Sequence, residues 1–185
     1  MVLSQWARHS SRHASKALFA ITCSVAVLMP TWAQTTPLST HTRVQALAQA
    51  QTPALLDTLK DLVSIESGSR DLEGLEKLSQ LLAQRLQQMG MEVKTIPTQA
   101  PDFHPQLKGA KLGSVVFGSK KGKGQKKVLL IAHMDTVYLK GMVAKQPFRI
   151  DGNKAYGLAI ADDKGGVALI PHTIKMLQDM GFDDY

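Results

Sequence analysis

Cysteine is almost missing from this 185-residue chain: Cys23 stands alone. A single thiol excludes both a disulfide framework and a thiolate zinc cluster. Aromatic residues make up only 5% of the chain, too few for the stacking platforms on which single-stranded nucleic acids are bound. No apolar run reaches the ~20 residues needed to cross the hydrocarbon of a bilayer. The composition is otherwise that of a folded protein, with 44% hydrophobic and 20% charged residues, which excludes a disordered chain. At ~100–200 residues per domain, the length is that of one domain or of part of a larger one. The formal charge of +7 raises nucleic acid and membrane surfaces as partners.

The first 33 residues account for much of that charge. They carry Arg8, Arg12 and Lys16 and no acidic residue, and residues 17–29 form an apolar core that ends at Pro30 and the small-residue pattern Thr31-Trp32-Ala33. A basic start, a short apolar core and an A-x-A-like end read as a cleavable secretory signal peptide, cut after Ala33. Its removal leaves 19 basic against 15 acidic residues, or +4, and takes Cys23 with it. The mature chain is expected to be secreted or periplasmic, with no membrane attachment after cleavage, and the absence of cysteine suits an oxidising compartment.

Residues 34–52, rich in Thr, Gln, Ala and Ser, read as a low-order leader before a domain spanning residues 53–185. Thr52-Pro53 has the form of an N-cap followed by proline at the first helical position. Leu55, Leu56, Leu59, Leu62 and Val63 then recur at helical spacing. A second helix starts at Asp71, with Leu72, Leu75, Leu78, Leu82 and Leu86 on one stripe and Gly90 as its left-handed stop. Strands are expected over residues 92–96, 112–118 and 127–132. The last of these is apolar at every position from Val128 to Ala132, the pattern of a strand covered on both faces. Asp151-Gly152-Asn153 marks a hairpin turn, and a final helix is expected over residues 164–180, stopped by Gly181. The order of elements implies an α/β layered domain. Residues 120–127 hold the one dense charge run. Glycines interleave its lysines and no aromatic does, so a solvated hairpin tip is expected there and nucleic acid is not an expected partner.

The chemistry gathers at the end of the buried strand, where His133-Met134-Asp135 follows Ala132. Ligands of open α/β sheets bind at the carboxyl ends of strands. His133 offers an imidazole nitrogen to a metal, and Asp135, two residues on, lies on the same side of an extended backbone. A carboxylate behind a metal-bound imidazole fixes its tautomer. The second element is Ala161-Asp162-Asp163-Lys164-Gly165-Gly166 at a helix start. Either aspartate there can cap the helix, or one can bridge two metal ions of the kind that share an attacking water.

The segment Ala132-His133-Met134-Asp135-Thr136-Val137-Tyr138-Leu139-Lys140-Gly141, with Pro147-Phe148-Arg149, Asn153-Lys154-Ala155-Tyr156-Gly157 and residues 160–166, resembles the zinc-dependent exopeptidases and deacylases. That family includes acetylornithine deacetylase, succinyl-diaminopimelate desuccinylase and aminoacylase, and the resemblance is to its glutamate carboxypeptidases of the carboxypeptidase G type. It extends from about residue 53 to the end. The resemblance implies a central, mostly parallel sheet flanked by helices, two zinc ions per complete site, His133 as a ligand of one and Asp162 as the bridge. It implies that Asp135 is the catalytic aspartate that orients His133. Asp162 is preferred to Asp163 because the family pattern Asp-x-Lys-Gly reads here as Asp162-Asp163-Lys164-Gly165. The implied reaction is hydrolysis of an amide bond to a C-terminal amino acid, glutamate in folate-type or acyl-glutamate substrates, by a homodimer.

The same resemblance places a Glu-Glu pair, a further acidic ligand, a distal histidine and a dimerisation domain beyond Tyr185. The chain is therefore expected to be the N-terminal portion of such an enzyme and to be inactive alone, because a catalytic zinc takes about three protein ligands. The competing reading is a non-catalytic secreted remnant or binding module of the same fold. Two departures from the family pattern stand out. Gly157-Leu158-Ala159 replaces a Gly-Pro-Gly-like turn, which removes conformational latitude before Asp162. Pro171 falls inside the last helix, where a kink or a late start is expected. His41, His104 and His172 are read as surface or packing residues. Tyr138, Lys140 and Arg149 lie near the motif without an assigned role.

Overall fold

The structure is a computed structural model and describes residues 39–103 and 106–185. The expected signal peptide and His104 lie outside the described residues. Helix α1 (Thr40–Ser64) is followed by α2 (Leu72–Gln88), strands β1 (Glu92–Gln99) and β2 (Lys111–Ser119), the short strands β3 (Arg149–Asp151) and β4 (Lys154–Tyr156), a wide helical turn (Ile160–Lys164) and α3 (Gly165–Asp179).

Helix α1 begins well before the expected start at Thr52-Pro53, so most of the expected low-order leader is helical. Local physics explains the correction. The stretch from Gln45 to Gln51 alternates Gln with Ala and Leu, which are strong helix formers. Ser39 supplies the cap, its hydroxyl oxygen accepting from the Thr42 N–H at 3.2 Å. Arg43 donates to the carbonyl of Asp179 at 3.1 Å and ties this first part to the end of α3. Pro53 then sits inside the helix.

Helix α2 starts as its sequence implies: Asp71 accepts from the Gly74 N–H at 3.1 Å. Leu75, Leu78 and Leu82 are buried, and Gly90 takes φ +74° past the end. The core forms where three helices meet, from Leu59, Leu62 and Val63 of α1, Leu78 and Leu82 of α2, and Val167 and Ala168 of α3. Strands β1 and β2 pair antiparallel with an irregularity between Ile96 and Thr98, where Pro97 has no N–H to give the ladder. Strands β3 and β4 form a hairpin around Gly152-Asn153, with Gly152 at φ +58° in the first loop position.

The expected strand over residues 127–132 has no ladder partner among the described residues. Val128, Leu129 and Ile131 are 66%, 73% and 80% exposed. A strand apolar on both faces needs neighbours along its edges and layers above and below it, and the described sheets have only two strands each. The helix-and-sheet layering of an α/β domain is present, but the mostly parallel central sheet is reduced to one parallel bridge, Gly68 to Thr136. For the same reason residues 120–127 are not a hairpin tip. Lys123 instead pairs with Asp183 at 2.6 Å.

Helix α3 runs through Pro171, which is buried, and its start is not delayed: it begins at Gly165. Proline removes one N–H from the ladder, and packing on α1 holds the helix across the gap. His172 is a packing residue, 2.9 Å from the Thr58 hydroxyl and 2.8 Å from Gln51 Oε1, and so links α3 to α1. No described helix is long and apolar enough to cross a membrane.

Gly74 lies so close to the end of α1 that a Cβ there would overlap the carbonyl oxygen of Glu66. Replacing glycine by alanine inside a helix ordinarily stabilises by ~1 kcal/mol. Here Gly74→Ala is expected to lower the thermal midpoint, whereas Gln84→Ala on the exposed face of α2 shifts stability by no more than about 0.5 kcal/mol. Thermal unfolding of the two variants beside the parent checks the contrast.

Candidate metal centre

The loop that leaves α1 and the segment that carries His133 are stitched together side by side. Thr136 N–H donates to the Ser67 carbonyl at 2.8 Å, and Ser69 N–H donates to the Thr136 carbonyl at 2.9 Å. The Ser67 hydroxyl adds a bond to the Met134 carbonyl at 2.8 Å. The strands approach so closely that a Cβ at Gly68 would lie 2.5 Å from the Tyr138 carbonyl oxygen. This seam fixes the backbone on either side of Asp135 although no sheet surrounds it.

All three residues that the sequence singled out lie together beside this seam. His133 Nε2 lies 2.9 Å from Asp162 Oδ1. Its other nitrogen, Nδ1, is 3.0 Å from the Asp135 carbonyl and 3.2 Å from Asp135 Oδ1. Asp135 thus backs the imidazole on one side while Asp162 faces it on the other. The hydrogen bond to Asp162 raises the His133 pKa above its ordinary value; desolvation opposes the rise, and Asp135 adds to it.

The neighbouring aspartates divide the two roles that their sequence left open. Asp163 Oδ1 accepts from the Gly166 N–H at 3.1 Å and so caps the first turn of α3. Asp162 makes no such bond and turns its carboxylate to His133. The peptide between them is cis. Just before them Ala159 adopts φ +62°, a left-handed conformation that favours glycine, and it is 5% exposed.

Lys164 anchors this turn from beneath. It is 2% exposed, and its ammonium donates to the Ile65 carbonyl at 2.6 Å, at the end of α1. Desolvation pulls its pKa down to about 8, with Glu66 opposing. Glu66 in turn accepts from the N–H groups of Gly141 at 2.7 Å and Val143 at 3.1 Å, which hold its carboxyl below the usual range and fasten the loop after the His133 segment. The residues left without a role find partners at the surface. Lys140 pairs with Glu73 at 3.2 Å, and the Arg149 guanidinium lies 3.8 Å above the Tyr156 ring. Tyr138 is half-buried.

Sequence reasoning missed Ser67, Ser69, Glu66 and the anchoring role of Lys164. A Ser-Gly-Ser stretch between two helices reads as a connection, and nothing local to it points to Asp135.

An imidazole nitrogen and a carboxylate oxygen that face each other are donors of the kind zinc takes, but a structural or catalytic site needs more than two. Among the described residues no group of three or more His, Cys, Asp or Glu is placed to hold a metal ion. The pair therefore fits part of a metal site.

The model of peptidase family M20/M25/M40 matches residues 129–185, the stretch that holds all three residues. Over 167 residues the chain is 42% identical to carboxypeptidase G2 of Pseudomonas sp. strain RS-16, which covers 89% of this chain and 38% of that protein. The fold is similar to that of the di-peptidase Dug1p from Saccharomyces cerevisiae, at 20% identity and a TM-score of 0.61. It is also similar to human carnosine dipeptidase 1, at 21% identity and a TM-score of 0.58. In both cases 77% of this chain and 32% of the other are covered. The chain thus spans about a third of the length of these relatives.

The left-handed Ala159 gives a direct test of the turn that presents Asp162. A left-handed residue with a Cβ costs ~1–2 kcal/mol, and glycine's extra freedom when unfolded cancels part of the gain. Ala159→Gly is expected to raise stability by about 0.5–1 kcal/mol, read as a shift in the urea midpoint at constant slope.

Proposed function

Because the chain belongs to peptidase family M20/M25/M40, we propose that the complete protein is a zinc-dependent metallopeptidase that removes a C-terminal amino acid, glutamate in acyl-glutamate or folate-type substrates. The observation that carries the proposal is the 2.9 Å approach of His133 Nε2 to Asp162 Oδ1, with Asp135 against the opposite ring nitrogen.

His133 and Asp162 are the residues that would hold zinc, with Asp162 as the bridge between two ions. Bound zinc supplies Lewis acidity, which polarises an amide carbonyl and lowers the pKa of water to ~7. Asp135 faces Nδ1 of His133 with its carbonyl at 3.0 Å and Oδ1 at 3.2 Å, accepts the proton there and so keeps the Nε2 lone pair facing Asp162. In the ion-free state the His133–Asp162 contact needs one shared proton. Holding a cation would displace that proton, so metal binding by this pair would release one proton.

Two donors do not hold a catalytic zinc, which takes about three protein ligands with an open position. The 185-residue chain by itself is accordingly inactive, and the remaining donors and the group that transfers protons to the leaving amine come from outside the described residues. The basic and apolar start of the chain supports export, with the mature protein secreted or periplasmic, and the working form is a homodimer.

The test is hydrolysis of N-acyl-glutamates by the complete protein, before and after chelation and zinc return. Chelation abolishes turnover and zinc restores it. His133→Ala and Asp162→Ala each lower kcat/KM by a factor of at least about 1000, on the order of 4 kcal/mol of transition-state stabilisation. Undiminished hydrolysis in either variant contradicts the assignment.

A further inference from the structure

Asp135 has two carboxylate oxygens, and each meets a different residue. Oδ1 lies 3.2 Å from His133 Nδ1. Oδ2 accepts from the Ser69 hydroxyl at 2.7 Å. The same hydroxyl lies 3.2 Å from the Thr136 carbonyl, but it has one proton, and the carboxylate contact is the shorter and charge-assisted one.

The Asp135 side chain is 49% exposed, and the Ser69 hydroxyl is what holds its Oδ2 against rotation into water. Ser69 itself is not free to drift. Its N–H is bonded to the Thr136 carbonyl at 2.9 Å, Gly68 forms the parallel bridge to Thr136, and Ser67 grips the Met134 carbonyl. One turn back, the Lys164 ammonium holds the Ile65 carbonyl, which links this loop to the turn that carries Asp162. The hydroxyl thus reaches Asp135 from a backbone held at several points.

We propose that Ser69 is a positioning residue: by engaging Asp135 Oδ2 it aims Oδ1 at His133 Nδ1 and thereby orients the imidazole that meets the metal. The proposal rests on the zinc-peptidase reading for its consequence in catalysis, but not for its consequence in metal binding. Partners that orient a metal-binding histidine through a carboxylate change affinity or activity by 10–100-fold when removed.

The experiment compares the complete protein with its Ser69→Ala and Ser69→Thr variants. Three readouts are taken: kcat and KM on N-benzoyl-L-glutamate, Zn²⁺ affinity by competition with a chelator, and the imidazole ¹⁵N signals of His133 in the zinc-free protein. Ser69→Ala is expected to lower kcat ~10–100-fold and to weaken Zn²⁺ binding about tenfold, with KM within about twofold. In the same variant the His133 ¹⁵N signals move toward those of a mixture of tautomers. Ser69→Thr keeps the hydroxyl and is expected to stay within about threefold of the parent in both kcat and Zn²⁺ affinity. Ser69→Ala indistinguishable from the parent in Zn²⁺ affinity and ¹⁵N signals overturns the proposal, as does Ser69→Thr impaired as much as Ser69→Ala. A parent that binds Zn²⁺ but leaves N-benzoyl-L-glutamate intact counts against the proposed substrate, while the affinity and ¹⁵N comparisons still decide the part played by Ser69.

Discussion

The paired backbone bonds between the Ser67–Ser69 loop and Thr136 are the constraint on which the site depends. They join the end of α1 to a segment 67 residues further along, and they do so where the sheet on either side is incomplete. Without them the His133–Asp135 segment would lead from an exposed apolar stretch into an exposed loop with little to fix its direction. With them, Asp135 is held between Ser69 and His133, and the imidazole points at Asp162. The buried Lys164 extends the same logic from the other side: its ammonium spans from the Asp162 turn to the carbonyl of Ile65, just before the loop. Two short polar links thus locate both halves of the His133–Asp162 pair relative to α1.

The features legible in the sequence were those that local interactions decide. Asp71 before a leucine stripe, with Gly90 after it, describes α2 completely, because capping and helical periodicity act within a few residues. The turn at Gly152-Asn153 and the stop at Gly181 are equally local. The start of α1 is not legible, because Thr52-Pro53 has the form of a helix start while the preceding Ala and Gln residues have helix propensity without an apolar stripe. Residues 127–132 are the opposite case. Their pattern states what a strand needs on its faces, and whether it is a strand depends on neighbours that pair with it.

The site divides along the same line. His133 and Asp135 are two residues apart, so their proximity follows from backbone geometry alone. Asp162 was singled out by resemblance, and its separation from Asp163 in function is a matter of where each side chain points: one caps α3, the other faces an imidazole. Ser69 and Lys164 were not legible, since each acts across 66 or more residues of chain on a group whose position no local pattern encodes. Ala159 lies between these cases. Its sequence context announces a tight turn with less freedom than glycine would allow, and the structure shows it in the left-handed conformation that such a turn demands.

We propose that His133 and Asp162 grip the same divalent ion while Asp135 stands behind the ring. Anomalous diffraction at the zinc edge from crystals of the complete protein tests it most directly. A peak is expected ~2.0–2.2 Å from both His133 Nε2 and an oxygen of Asp162, with Asp135 still against Nδ1. A zinc peak away from these two atoms, or bound to His133 through Nδ1, would contradict it.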